Sequence, residues 1–269
     1  MTKGGVIVMS ALGWIATAPL YSQAAAAPEP KTAAPPVFDV AVIKPTDPTA
    51  PRNGCFMKGQ PGGQTFIGRC IPVRLIIKRA YLLIDDQISG GPGWMDNELF
   101  DFDAKTDRSV TRAQIAEMFQ RFLADRFHLQ FHLVSRVMPA FTLTVDKAGS
   151  KMKKNESSYE WEIPVQGVPG PVPKIKGVRC PMNYFSWYLG QTENRPVVDQ
   201  TGLSGFWDFT LEFVPDALQN RRGRDGEPIA APDGPNLATA LREQLGLKLE
   251  PAKTPVDVYV IDRLEKPVN

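Results

Sequence analysis

The chain has 269 residues, room for one large domain or two of ordinary size, and its 43% hydrophobic content is enough to build cores, which excludes wholesale disorder. Its 31 basic and 29 acidic residues leave a formal charge of +2, so there is no net field to gather nucleic acid.

The N-terminus reads as a processing signal. Lys3 is followed by an apolar run from Val6 to Leu20, broken by Gly13 and Pro19, and then by small residues through Ala27. That is the grammar of a secretory signal peptide, and the run is too short and interrupted to span a bilayer comfortably. Residues 1–27 are expected to be removed, a retained single anchor being the alternative, and no later stretch is apolar for long enough to cross a membrane. The mature chain is therefore expected to be exported, periplasmic or extracellular. Residues 28–37, rich in Pro and Ala, read as a tether.

An exported chain meets an oxidising compartment, which gives its three cysteines weight. Cys55 and Cys70 flank a segment whose Gln60-Pro61-Gly62-Gly63 reads as a hairpin turn, so the two can face each other across it. The favoured disulfide is Cys55 to Cys70, contributing on the order of 3 kcal/mol in the chain-entropy model. Pairing of either with Cys180 is the alternative that spacing leaves open.

Phe38 to Lys44 alternates apolar and polar residues up to Pro45 and predicts the first strand. Pro72 to Ile84 predicts a helix with Pro72 in its first turn and Val73, Ile76, Ile77, Ala80, Tyr81 and Ile84 on one face. Gln87 to Ala104, QISGGPGWMDNELFDFDA, joins a short strand to a second one through a glycine and proline loop. In the second strand Phe100 and Phe102 alternate with Asp101 and Asp103, separating a buried face from a solvated one. Thr111 caps a helix to Ala124 with a stripe of Ile115, Met118, Phe119, Phe122 and Leu123. Phe127 to Val134 and Phe141 to Val145 predict two strands joined around Met138-Pro139.

Composition changes over residues 151–176, which are proline-rich without helical period and read as a linker. The earlier order then returns. Met182 to Leu189 predicts a helix, Pro196 to Asp199 and Gly205 to Phe213 strands, 214–235 a polar mobile loop, Asn236 to Leu245 a helix, and Leu247 to Glu250 with Val256 to Ile261 a closing pair of strands. Arg195 to Glu212, RPVVDQTGLSGFWDFTLE, is a worn copy of the 87–104 stretch, and it matches Asp101 with Asp208, Cys70 with Cys180 and Trp94 with Trp207. The expectation is an α+β fold of two tandem similar units, 38–150 and 177–266, each a mainly antiparallel sheet with two helices packed on it.

Familiar chemistries find little support. His128 and His132 would stand ~13 Å apart on a strand, too far to share a metal, so no metal site is expected and both read as structural surface residues. There is no Gly-x-Ser-x-Gly elbow, and Gly90-Gly91-Pro92-Gly93 is followed by a strand rather than the helix a phosphate loop needs, so no nucleotide or other cofactor is implied. Asp101 and Asp103, with Asp208 and Glu212, could supply an acid and a base if the units packed face to face; the competing reading is a solvated strand face. Aromatics beside flexible loops are the better binding signal: Trp94 next to Gly91 and Gly93, Trp207, and Tyr184, Trp187 and Tyr188 on a helix.

Several of these motifs occur together. Phe38-Asp39-Val40-Ala41 with Ile43-Lys44-Pro45, ISGGPGW at 88–94, FDFDAK at 100–105, FLADRFHLQFH at 122–132 and RPVVDQTGLSGFWDFTLE at 195–212 resemble the soil-associated bacterial family that carries the domain of unknown function DUF3738. The resemblance implies no established activity and no catalytic residue. Some relatives carry the domain behind a membrane-embedded metallopeptidase, which implies a sensory or ligand-binding role; this chain has no HExxH. Cys180 stands where the resemblance leads to a small residue.

The reading that follows is a non-catalytic ligand-binding or protein-interaction module whose partner is a cell-envelope ligand or protein, with Trp94, Gly91, Gly93, Trp207, Asp101 and Asp208 as candidate contacts. An extracytoplasmic hydrolase using the paired carboxylates is the alternative.

Overall fold

The computed structural model describes residues 36–49, 54–59, 62–158, 164–168, 172–215 and 232–267, with single positions at 218, 225 and 227. The signal-peptide expectation, nearly all of the tether and most of the 214–235 loop fall outside the described residues. Pro35–Asn269 forms one compact unit.

Its architecture is α+β, with three four-stranded sheets and five helices among the described residues. The first sheet is antiparallel, in the order β1 (Val40–Pro45), β5 (Leu99–Lys105), β3 (Thr65–Pro72), β2 (Phe56–Lys58). The alternation in β5 works as its sequence predicts: Phe100, Phe102 and Ala104 are buried. On them pack α1 (Val73–Tyr81) and α3 (Arg112–Phe127), which close a core rich in edge-to-face phenylalanine pairs. The Thr111 cap is present as a full capping box: Thr111 Oγ1 accepts from the Gln114 amide, and Gln114 Oε1 accepts from the Thr111 amide. Cys55 and Cys70 form the expected disulfide, and Cys180 is a buried free thiol.

A second antiparallel sheet has the order β7 (Lys153–Lys154), β11 (Trp207–Glu212), β9 (Lys174–Cys180), β8 (Val165–Val168). The stretch expected to be a linker thus contributes β7, β8 and the start of β9. On this sheet pack α4 (Met182–Glu193) and α5 (Leu237–Ala240), the latter continuing as a π-turn over Leu241–Leu245.

Between them lies a third sheet, ordered β10 (Val197–Asp199), β6 (Gln130–Val145), β12 (Leu247–Arg263), β4 (Ile88–Gly90). Here the sequence reading needs correction, because the two short strands expected on either side of Met138-Pro139 are one strand of 16 residues, and the closing pair is one of 17. The prolines mislead because each long strand has a neighbour on only one side along its middle, where proline's missing donor is tolerated. Leu247 pairs with Val145 and Val137 with Pro255, all antiparallel, while β4 joins β12 and β10 joins β6 in parallel. Each short strand therefore crosses to the long strand from the other end of the chain. The expected sheet per unit becomes two outer sheets and one that the two ends build jointly. No helix among the described residues is long and apolar enough to cross a membrane.

Candidate functional site

The same local devices recur in both outer sheets. β3 and β5 slip register between Gly68 and Ile71, and β9 and β11 slip between Trp207 and Phe209. Each slip puts a non-glycine residue into the left-handed region, Cys70 at φ 47° and Arg179 at φ 44°. An aspartate satisfies the freed amide each time: Cys70 N–H donates to Asp101 Oδ1 at 2.9 Å, and Arg179 N–H to Asp208 Oδ1 at 2.8 Å. Thr46 Oγ1 adds a hydrogen bond to Asp101, and the Asn155 amide adds two to Asp208. Partial burial pushes the Asp101 carboxyl up, but the Cys70 amide and Thr46 hydroxyl, helped by Arg69 and Lys44, outweigh it and hold the group below the usual carboxylate range. Next to each slip, a Cβ on Gly68 would overlap the Phe102 ring, and one on Gly177 the Phe209 ring.

These pairings place the sequence-predicted candidates. Asp101 and Asp208, matched in the sequence, each clamp a strand irregularity, and they do so in different sheets. Cys70 corresponds to Arg179, and Cys180 to Ile71, since Ile71 sits opposite Phe100 and Cys180 opposite Trp207. Trp207 is therefore the counterpart of Phe100 rather than of Trp94, and its buried indole N–H has no hydrogen-bond partner. Trp94 stacks on Phe127, meets Phe100 edge-on and carries Lys266 Nζ 5.9 Å from its ring. Trp94 packs against one hydrophobic cluster and Trp207 against another. Gly91, at φ +84°, has Met95 and Ile261 against it, while Gly93 opens α2 (Trp94–Asn97), so a four-residue helix stands between the glycine loop and the strand expected to follow it directly. Asp103 is paired with Arg69, and Glu212 with Lys174, so the four carboxylates named for a hydrolase are each engaged. None of them lines either cavity described next.

The histidines have separate acidic partners, Glu265 for His128 and Asp262 for His132. His128 caps α3 in the left-handed region instead of starting a strand, and His132 Nδ1 lies 2.8 Å from Asp262 Oδ1 on the surface. Among the described residues no cluster of His, Cys, Asp or Glu could hold a metal ion.

Among the described residues, two cavities lie beside α4. The larger, about 470 Å³, is an open groove along β9 and α4 whose polar lining is Lys174, Tyr188 and Thr192, with Lys174 already paired to Glu212. The smaller, about 210 Å³, lies where α4 and β10 face the turn after α1. Leu82, Ile84 and Gln87 come from that turn. From α4 come Asn183, Ser186, Trp187 and Gly190, and from the following segment Pro196, Val197 and Asp199.

Its walls are fixed by contacts between the two ends of the chain. The Trp187 indole N–H and the Gln191 amide both donate to the Leu83 carbonyl, at 3.1 and 3.2 Å, and Arg79 lies 5.3 Å from the centre of the Trp187 ring. Gly190 lets the chain turn back closely, since a Cβ there would stand 3.1 Å from the Arg195 carbonyl oxygen and 3.4 Å from Ile84 Cγ2. Gln87 bridges to the long strands by donating to the Asp257 carbonyl.

Ser186 lines this cavity, is only 4% exposed, and its hydroxyl has no hydrogen-bond partner. Counted from the prolines that precede the helices, Val73, Ile76, Ile77 and Ala80 of α1 correspond to Met182, Phe185, Ser186 and Leu189 of α4, all buried. The hydroxyl thus takes the place of Ile77. Likewise Asp199 ends β10 where Gly90 ends β4. Trp187 stood out in the sequence as an aromatic on a helix. Ser186 and Asp199 did not, because a serine inside MNYFSWYL carries no signal until the helix is laid beside its counterpart.

Fold and site define an α+β protein with two similarly built outer sheets joined through a shared one, and a polar cavity where α4 and β10 face the turn after α1. Residues 74–264 match the family model described as "Protein of unknown function (DUF3738)", and the chain belongs to that family. Neither the curated proteins nor the solved structures contain a match.

Proposed function

We propose that the chain is an internally duplicated, exported, non-catalytic ligand-binding module of the cell envelope, and that it binds in the cavity between α4, β10 and the turn after α1. One observation carries this reading: the buried Ser186 hydroxyl lacks a partner where the corresponding helix has an isoleucine. An orphaned buried hydroxyl costs about 1–3 kcal/mol, a cost that a hydrogen bond to a bound group would offset. Export is supported by the Cys55–Cys70 disulfide, which persists in oxidising compartments. Duplication is supported by the recurrent element order and the paired aspartate clamps. The hydrolase alternative has no comparable support, its carboxylates being tied to backbone amides or basic side chains.

A thermal-shift screen of chemically mixed small fragments against the mature chain and its Ser186→Ile variant tests this reading. Fragments should raise the Tm of the wild type and leave the variant unmoved, since isoleucine restores the apolar residue of the other helix. A screen in which every stabilising fragment acts equally on both proteins would refute the site.

A further inference from the structure

We infer that the ligand of this cavity is a neutral polyhydroxyl compound of single-sugar size, an inference that rests on the binding reading above. Charge narrows the choice first. The lining holds one carboxylate, Asp199, and no lysine or arginine, so an anion would enter against a like charge with no cation to offset its desolvation. Hydrogen-bonding groups narrow it further. Asn183 Oδ1 accepts from the Tyr184 amide, which leaves its NH₂ group to donate. Asp199 Oδ1 accepts from both the amide and the hydroxyl of Thr201, which leaves Oδ2 to accept. Ser186 Oγ can do either.

Asn183 and Asp199 stand at the exposed rim, where an ammonium group could pair with Asp199 but would gain nothing from the Asn183 NH₂. A diol donates and accepts at each oxygen, so it satisfies the whole mixed set. Gln87 also lines the cavity, but its amide is taken up by the Ile84 N–H and the Asp257 carbonyl; the other walls, including Ile84, Trp187 and Val197, are apolar and suit the C–H face of a sugar ring. About 210 Å³ is below the usual range for drug-sized ligands and holds one ring rather than an oligosaccharide. Asp199 and Asn183 are then the specificity-determining contacts, and Ser186 the buried one.

The test is titration calorimetry of the full mature chain with glucose, galactose, mannose and N-acetylglucosamine, alongside ethanolamine and inorganic phosphate. At least one sugar should bind saturably, and Asp199→Asn, which keeps the Oδ1 contacts but removes the free acceptor, should weaken it by about tenfold. Asn183→Ala should do the same, with unchanged circular dichroism. Saturation by ethanolamine or phosphate alone, or sugar binding that neither variant weakens, overturns the sugar assignment. If no sugar binds but fragments from the thermal-shift screen still distinguish Ser186→Ile, the sugar assignment fails and the binding reading stands; if neither binds, both fail.

Discussion

Sheet β1-β5-β3-β2 and sheet β7-β11-β9-β8 solve the same folding problem in the same way and then differ at a few positions. Both need an aspartate to hold a strained amide, and both need a glycine under a phenylalanine ring. These shared features build the fold, which is why Asp101 and Asp208 recur. The differences collect around α4. There a serine replaces Ile77, an aspartate replaces Gly90, and a tryptophan with an unpartnered N–H replaces Phe100. What recurs answers to stability; what departs leaves a buried polar atom over, and that atom is what the proposed ligand would engage.

That comparison can be broken at the rings. Phe102→Ala and Phe209→Ala should each destabilise by about 3–5 kcal/mol in urea unfolding, because each empties a core of the same design. A large cost in one and a negligible cost in the other would show the sheets are not equivalent.

The clamps give a smaller effect. Asp101→Ala and Asp208→Ala should each cost about 1–3 kcal/mol, the penalty for leaving the Cys70 or Arg179 amide unsatisfied. The Asp101 clamp should also depend on pH. Its carboxyl is held below the ordinary range in the folded chain, so its contribution is complete above the unfolded-state value and is lost as pH falls through the folded-state value. The Asp101→Ala variant should therefore lose less stability on acidification than the wild type, a difference that denaturation curves at successive pH values measure.

The smallest effects have the opposite sign. Ser186→Ala and Trp207→Phe each delete a buried polar atom that has no partner, and Phe is the residue at the matching position of β5. Both variants should be neutral or more stable by up to ~1 kcal/mol in the absence of ligand. Clear destabilisation of Ser186→Ala would mean that its hydroxyl already has a partner within the fold, whereas in Trp207→Phe the smaller ring also leaves a void that opposes the gain.

Much of the architecture was legible from side-chain pattern. Phe100 and Phe102 reveal their strand by alternation, Thr111 announces a helix start, and the hairpin spacing brings Cys55 to Cys70. What failed depended on partners far away in the chain. Pro139 and Pro255 look like breaks because proline cannot donate, and only the one-sided neighbourhood of β6 and β12 makes them harmless. Trp94 and Trp207 look equivalent because both follow a glycine loop, whereas strand register matches Trp207 with Phe100. The cavity was illegible for a similar reason, since its residues come from 82–87 and 183–199 and meet only when the short strands cross between the long ones.

The most direct measurement is amide and indole chemical-shift mapping of the mature chain with the strongest ligand from the thermal-shift screen. The account predicts perturbations that centre on Ser186, the Trp187 indole N–H, Gly190 and Val197, and that vanish in Ser186→Ile. Perturbations centred on Trp94 and Lys266, or retained in full by the variant, would contradict it.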